Sequence, residues 1–315
     1  MRMEEIMLRN KKLIIVLTIL ICMVVSGCTQ KKIAPKVVAT RVTVYPLKVV
    51  DSYNRTVTID TEPKRVITIA PNIAETVYAL NKGEALVGRS DYDDYPAQIS
   101  KVATLGQLTN PSIEKIVELK PDVVIASTHF GKDIVKKLED LNIKIIVLYG
   151  QDNFDGVYNT ITKVGEVLNA NEKAKTLVQD MKKKVENIVA KVKTAQKPSV
   201  YYVVGFGKAG DYTAGKDTFI GNMLEMAGGN NAAKDVVGWK YSIEKLVEKN
   251  PDILICSKDY GSKKGIEATT GYKDLKAVKG RKLLEMDQNI VDRQGPRLAD
   301  GLEALAKLIH PELFK

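Results

Sequence analysis

Hydrophobic and polar positions divide the chain into three kinds of segment. Thirteen uncharged, mostly aliphatic residues, Leu13 to Val25, follow Arg9, Lys11 and Lys12. A basic stretch leading into an apolar run of about 7–15 residues is the pattern of an export signal, and it is short for a membrane span. Residues 29–45 are polar and read as a tether. From Leu47 to Asp60 apolar and polar positions alternate around Asp51-Ser52-Tyr53-Asn54-Arg55, which predicts a hairpin. After Pro63, short β-rich runs alternate with helix-length stretches; Val66–Ala70, Val123–Ser127, Ile143–Leu148, Val200–Val204 and Ile253–Ser257 are the clearest strands. Strands separated by helices imply βαβ units and a mostly parallel sheet.

An internal repeat sharpens this. Ser112 to Ser127 reads SIEKIVELKPDVVIAS and Ser242 to Ser257 reads SIEKLVEKNPDILICS, identical at ten of sixteen positions with an offset of 130. One such unit in each half predicts two similar lobes, each with a helix, a Pro-Asp turn and a buried strand. Between them Leu177, Met181, Val185, Ile188 and Val192 fall on one face of a helix. Asn171 is a suitable N-cap and Pro198 sets the limit, giving a rod of roughly 36 Å. The expected fold class is α/β: two doubly wound lobes with mostly parallel central sheets, joined by one long α-helix. Its divisions are a signal (1–27), a tether (28–46), an N-terminal lobe (47–168), the inter-lobe helix (169–197) and a C-terminal lobe (198–315). A single long connecting helix predicts small closure of the lobes rather than a wide clamshell.

Composition adds limits. At 315 residues, 44% hydrophobic and 27% charged, the chain is an ordinary globular one with room for two domains. The net charge of +10 is concentrated near the N-terminus: from residue 49 onward 39 Lys and Arg face 36 Asp and Glu. A nucleic-acid-binding fold would carry its basic excess on the folded body, so nucleic acid is not an expected partner. Of three cysteines, Cys22 lies in the signal and Cys256 in an apolar run, where it reads as a small buried hydrophobe.

Candidate chemistry is sparse. Gly205-Phe206-Gly207-Lys208-Ala209-Gly210 matches a dinucleotide fingerprint, yet Asp211-Tyr212-Thr213-Ala214-Gly215 is no helix start. Gly210 to Asp217 nearly matches a P-loop, with a carboxylate where a hydroxyl belongs. The stretch reads as a loop at a strand end with Tyr212 and Lys216 exposed. Only His129 and His310 are present, with no metal-ligand spacing. His129 follows a strand, at the end where α/β folds bind ligands. No nucleophile–base constellation stands out, so no catalytic residue, metal site or cofactor is expected. Glu114 and Glu244 occupy the same position of the repeat, in the first turn of their helices. Two lobes each presenting one carboxylate suit a partner with matching two-fold character.

Val25-Ser26-Gly27-Cys28 resembles the bacterial lipoprotein signal, which implies cleavage before Cys28 and its lipidation. Lys64-Arg65-Val66-Ile67-Thr68-Ile69-Ala70-Pro71-Asn72 with Glu75, Asp94-Tyr95-Pro96, the two repeats and Arg293-Gln294-Gly295-Pro296-Arg297 resemble, in this order, the solute-binding proteins of importers for ferric siderophores, haem and cobalamin. The resemblance implies a lipid-anchored receptor on the extracytoplasmic face of the cell membrane. It also implies a bulky metal chelate, ferric siderophore or corrinoid, as ligand, and an ABC permease whose Arg clusters receive Glu114 and Glu244. Tyr92 and Tyr212 match aromatic positions around the ligand, Trp239 lies near a third, and Arg293 matches a cleft arginine. Leu108 stands near where the cobalamin binder has a Trp, and Asn289 where it has an Asp. His129 completes the expected ligand-binding set. Alternatives are a haem or free-metal receptor of the same architecture, or a nucleotide- or chelatase-type enzyme on this fold.

Overall fold

The computed structural model describes residues 42–315, so the signal, Cys28 and most of the tether lie outside the described residues. The first element is the expected antiparallel hairpin, β1 (Leu47–Val50) with β2 (Thr56–Ile59). Asp51 closes its turn by accepting from the N–H groups of Tyr53 (2.9 Å) and Arg55 (3.0 Å), as a short polar side chain does in an Asx-type turn. Thr43 and Tyr45 precede the hairpin and are already part of the fold. Thr43 Oγ1 donates to the Glu166 carbonyl (2.8 Å) and the Tyr45 hydroxyl to that of Val167 (2.8 Å).

Two separate five-stranded sheets follow. The N-terminal one holds β3 (Val66–Ile69), β4 (Leu86–Arg89), β5 (Ala103–Thr104), β6 (Val123–Ala126) and β7 (Ile145–Val147), all parallel, in the order β5-β4-β3-β6-β7. The C-terminal one holds β8 (Ser199–Gly205), β9 (Tyr212–Thr213), β10 (Asn230–Asn231), β11 (Ile253–Ser257) and β12 (Leu283–Met286). Its parallel order is β10-β8-β11-β12, with β9 antiparallel on β8. The continuous apolar runs of β3, β6, β7 and β11 are buried throughout, as strands covered on both faces must be. The strands absent from the sequence reading, β4, β5, β9, β10 and β12, are short or carry Gly, Arg, Glu or Asn, so their periodicity is too brief to register.

The repeat is one structural unit used twice. Ser112 and Ser242 each cap a short helix, Ile113–Glu118 and Ile243–Lys249, by accepting from the N–H of Lys115 (3.3 Å) and Lys245 (3.5 Å). The Pro-Asp turn then ties the unit to the neighbouring strand. Asp122 Oδ2 accepts from the N–H of Arg65 (2.8 Å), just before β3, and Asp252 Oδ2 from that of Ser199 (2.8 Å), the first residue of β8.

Each sheet turns alternate residues to different cores. Val66, Val123 and Ile125, together with Val200, Tyr202, Ile253 and Ile255, face one core shared by both lobes; Ile67, Val124 and Ile145 face a core of the first lobe, and Tyr201, Leu254 and Cys256 a core of the second. Phe154 and Phe219 meet edge-to-face inside the shared core, centroids 5.3 Å apart. The long helix, Asn171–Val192, has 22 residues and buries Ala174, Met181, Ile188 and Val192. Asn171 is its first helical residue and not its N-cap. Ala170 precedes it without a side-chain bond, and the Asn171 amide instead donates to Thr43 Oγ1 (2.8 Å). A core common to both lobes resists wide separation, because opening would expose it to water.

Candidate functional site

The carboxyl ends of the parallel strands open on a cleft of about 730 Å³ between the lobes, where doubly wound folds bind their ligands. The first lobe contributes Tyr92, Leu108, the turn Ser127-Thr128-His129 after β6, and Tyr149, Gly150 and Asp152 after β7. The second contributes Phe219, Ile220, Trp239 and the run Asn289 to Gln294, with Ile290 excepted. Tyr92, Tyr149 and Trp239 are exposed aromatics in a lining that mixes polar and apolar side chains.

Five of the six residues expected to contact ligand, Tyr92, Leu108, His129, Trp239 and Arg293, line this cleft. Tyr212 is a correction: it is not among the lining residues. Its place on β9 turns the ring onto the backbone of Gly205 and Gly210, so close that a Cβ at Gly210 would meet it at 2.9 Å. Lys216 is exposed but does not line the cleft either. Tyr149, Asp152, Phe219 and Gln294 line it without having been read from sequence. Tyr149 follows a buried strand just as His129 does, so the same strand-end rule would have found it.

His129 is exposed with a left-handed φ of +67°, and the next residue, Phe130, is buried in the core of the first lobe. That anchor holds the turn while leaving the imidazole in the cleft.

Three motifs singled out in the sequence converge on one ion-pair network across the lobes. Buried Glu75, on the helix Pro71–Ala79, accepts from Arg297 Nε (2.8 Å) and Nη2 (2.6 Å), and from Arg293 Nη1 (3.0 Å). Arg293 also grips Asp94 in bidentate fashion, Nη1 to Oδ1 (2.6 Å) and Nη2 to Oδ2 (3.1 Å), and donates to the Tyr92 carbonyl (3.3 Å). The Arg297 guanidinium lies 4.0 Å from the Tyr95 ring centroid. Gln294 donates to Asp152 (2.9 Å). The cleft arginine is therefore committed to protein carboxylates. Glu75 stands among apolar neighbours in its helix, a placement that demands a buried cationic partner. The Arg293 hydrogen bonds hold the Asp94 carboxyl below its ordinary range. Burial pushes Asp93 up to about 7. Among the described residues no group of three or more His, Cys, Asp or Glu could hold a metal ion.

The glycine-rich stretch has no phosphate cradle. β8 leads into a 3-10 turn, Gly207–Ala209, and back along β9 instead of into a helix. The amides of Gly215 and Lys216 are taken by the carbonyls of Gly238 (3.0 Å) and Val236 (3.0 Å), and Asp217 accepts from the N–H of Gly238 (2.6 Å).

Glu114 and Glu244 are exposed in the first turns of their capped helices, and one turn further on Val117 and Val247 are exposed too. Ser242 donates its hydroxyl to the Glu244 carboxylate, which lowers that carboxyl's pKa.

The family model described as periplasmic binding protein matches residues 66–290. An ABC transporter substrate-binding lipoprotein of Bacillus subtilis (strain 168) is 37% identical over 279 residues, 86% of this chain and 88% of that protein. A cobalamin-binding protein of Halobacterium salinarum is 27% identical over 285 residues, 86% and 76% of the two chains. The crystal structure of a periplasmic solute-binding protein from Staphylococcus epidermidis superposes with a TM-score of 0.70 at 32% identity, covering 79% of this chain and 99% of that one. The chain belongs to the periplasmic binding protein family.

Proposed function

We propose that this substrate-binding protein of an ABC importer is lipid-anchored through Cys28 on the extracytoplasmic face of the membrane, captures a bulky metal chelate, and docks on its permease through Glu114 and Glu244. The observation that carries the ligand class is the cleft: about 730 Å³, rimmed by Tyr92, Tyr149 and Trp239 and spanning both lobes. A volume in the upper part of the usual pocket range of about 300–1,000 Å³ suits a large ligand. Aromatic faces give area and stacking to a corrin or a siderophore scaffold, and a metal already held by its chelator needs no ligand atoms from the protein. Cleavage before Cys28 and its acylation account for the apolar run and the small residues ending in Cys. The paired carboxylates on equivalent helices support docking by charge-assisted, bidentate contacts with arginines of the permease. The near-P-loop gives no support to a nucleotide enzyme, since its amides are already bonded. A second reading, a haem receptor, is favoured by one observation: the exposed imidazole of His129 in the cleft could ligate iron.

Titration of residues 29–315 with cyanocobalamin, ferric siderophores and haem, following the fluorescence of Trp239, tests both readings. Saturable quenching by one compound at micromolar or lower concentration is expected. An absorbance shift with haem that His129→Ala abolishes would select the second reading, and flat responses to all, confirmed by calorimetry, would overturn both. For docking, Glu114→Arg with Glu244→Arg should abolish uptake while binding is kept; uptake that persists would remove the docking claim.

A further inference from the structure

Arg293 faces the cleft, yet its side chain is only 12% exposed, because Asp94 sits on it. The two carboxylates that hold this guanidinium differ sharply. Glu75 is buried, shared with Arg297 and locked by three hydrogen bonds from the two arginines. Asp94 belongs to the rim segment that carries Tyr92, its side chain is 61% exposed, and its carboxylate makes the same paired contact that a ligand carboxylate or phosphodiester would make. Moving Asp94 aside returns it to water at little cost, since it is already largely hydrated. Glu75 would still hold Arg293 in place. Without Asp94 the remaining group of two arginines and one glutamate has one positive charge in excess, directed at the cleft.

We propose that Asp94 is a displaceable internal anion covering Arg293, and that the cleft selects a ligand bearing one anionic group that takes its place. This rests on the receptor reading above and names the ligand chemistry of that same site. A wholly uncharged ligand has nothing to offer Arg293 and leaves Asp94 bound. A ligand with several anionic edges meets Asp152 and Asp292, which also line the cleft and repel a second negative charge. The predicted preference is therefore for a single carboxylate or phosphodiester on an otherwise neutral, aromatic-compatible body.

The test uses acetate as a bare monoanion, titrated into the soluble protein while the arginine side-chain NMR signals and Trp239 fluorescence are followed. Asp94→Asn keeps the shape and removes the charge, and Asp94→Ala serves as a second variant should the first alter the rim. Either should bind acetate at least tenfold more tightly than the parent, and Arg293→Gln in the same background should erase the gain. Equal affinities in parent and variants, or a gain that survives Arg293→Gln, would overturn the proposal. Cyanocobalamin, ferric citrate and haem are titrated alongside. If the parent captures one of them while the acetate result is negative, the receptor reading stands and the Asp94 proposal fails. If the parent captures none while acetate behaves as expected, the internal anion stands and the chelate reading fails.

Discussion

The two copies of the repeat agree closely until their strands end and then part. Phe130 and Tyr260 stand 130 positions apart, at matching distances beyond the Ser that closes each copy. Phe130 is 2% exposed and packs in the core of the first lobe, whereas Tyr260 is 93% exposed with a left-handed φ of +59°. In the first lobe the turn after β6 delivers His129 to the cleft; in the second the turn after β11 contributes nothing to it. The second lobe's share comes from Phe219, Trp239 and the segment around Arg293. What is repeated is support: a Ser cap, a buried aliphatic, a Pro-Asp turn pinned to the next strand, and an interior strand. What is not repeated is the loop, where binding chemistry belongs.

The sharpest way to break this contrast is to truncate both aromatics. Phe130→Ala should cost about 3–5 kcal/mol, the range for emptying a buried Phe site, and should disorder the His129 turn with it. Tyr260→Ala should stay within about 0.5 kcal/mol, as exposed substitutions do. Urea unfolding of the two variants gives the answer directly, and equal losses would mean that the two loops are anchored alike.

Next in size is the bond between the lobes. Glu75→Gln keeps the side-chain volume and one acceptor oxygen but removes the carboxylate charge that pairs with both arginines, leaving Arg293 with Asp94 as its counter-ion and Arg297 with the Tyr95 ring. Removing one partner of a buried ion pair strands its cations, and a loss of about 3 kcal/mol is expected. Calorimetric melting would register it. A change below about 0.5 kcal/mol would instead place this network with exposed salt bridges.

The first half also buries an acid beside this network, Asp93, which feels the charge of Arg293. Asp93 keeps its proton to about pH 7 because burial disfavours the charge, and its Oδ1 has no hydrogen-bond partner. Its folded pKa lies above the ordinary value of 3.8, so the folded state binds more protons between about pH 4 and pH 7. Stability must fall as pH rises through that window. Asp93→Asn can still accept from the Ser90 N–H, now made to Oδ2 at 2.9 Å, while escaping the cost of ionisation. The variant should match the parent near pH 4 and exceed it by about 1–3 kcal/mol at pH 8. Urea midpoints at both values decide the point; parallel curves would show that Asp93 ionises in the folded protein as it does in the unfolded one.

Much of this architecture was legible because its signals are local. Buried parallel strands are unbroken aliphatic runs, the long helix carries its stripe at Met181, Ile188 and Val192, and the repeat fixed a matching unit in each lobe. The cleft was legible only in part. Strand-end position pointed to His129, and resemblance to Tyr92, Leu108, Trp239 and Arg293. Nothing local distinguishes Asp152 or Gln294, which reach the site through contacts over 142 positions of sequence. Tyr212 was misplaced because a Gly-rich segment offers its aromatic either to solvent or to its own backbone. Only the antiparallel return of β9 decides between them.

The smallest effect is also the purest comparison of the lobes. Lys120 and Asn250 hold the same position of the repeat, each just before the proline, and both are left-handed, with φ of +45° and +42°. Asn tolerates that conformation better than Lys, because its short polar side chain can hydrogen-bond to the neighbouring backbone and offset the Cβ crowding that both residues share. Transplanting the second lobe's choice, Lys120→Asn, should therefore stabilise the protein by about 0.5 kcal/mol through the backbone alone. The reverse change, Asn250→Lys, should cost more than that, because Asn250 Oδ1 also accepts from the N–H of Lys276 (2.8 Å) and a lysine cannot. The difference between the two magnitudes isolates that hydrogen bond. Were the two changes equal and opposite, the bond to Lys276 would add nothing and the left-handed turn alone would account for the asparagine.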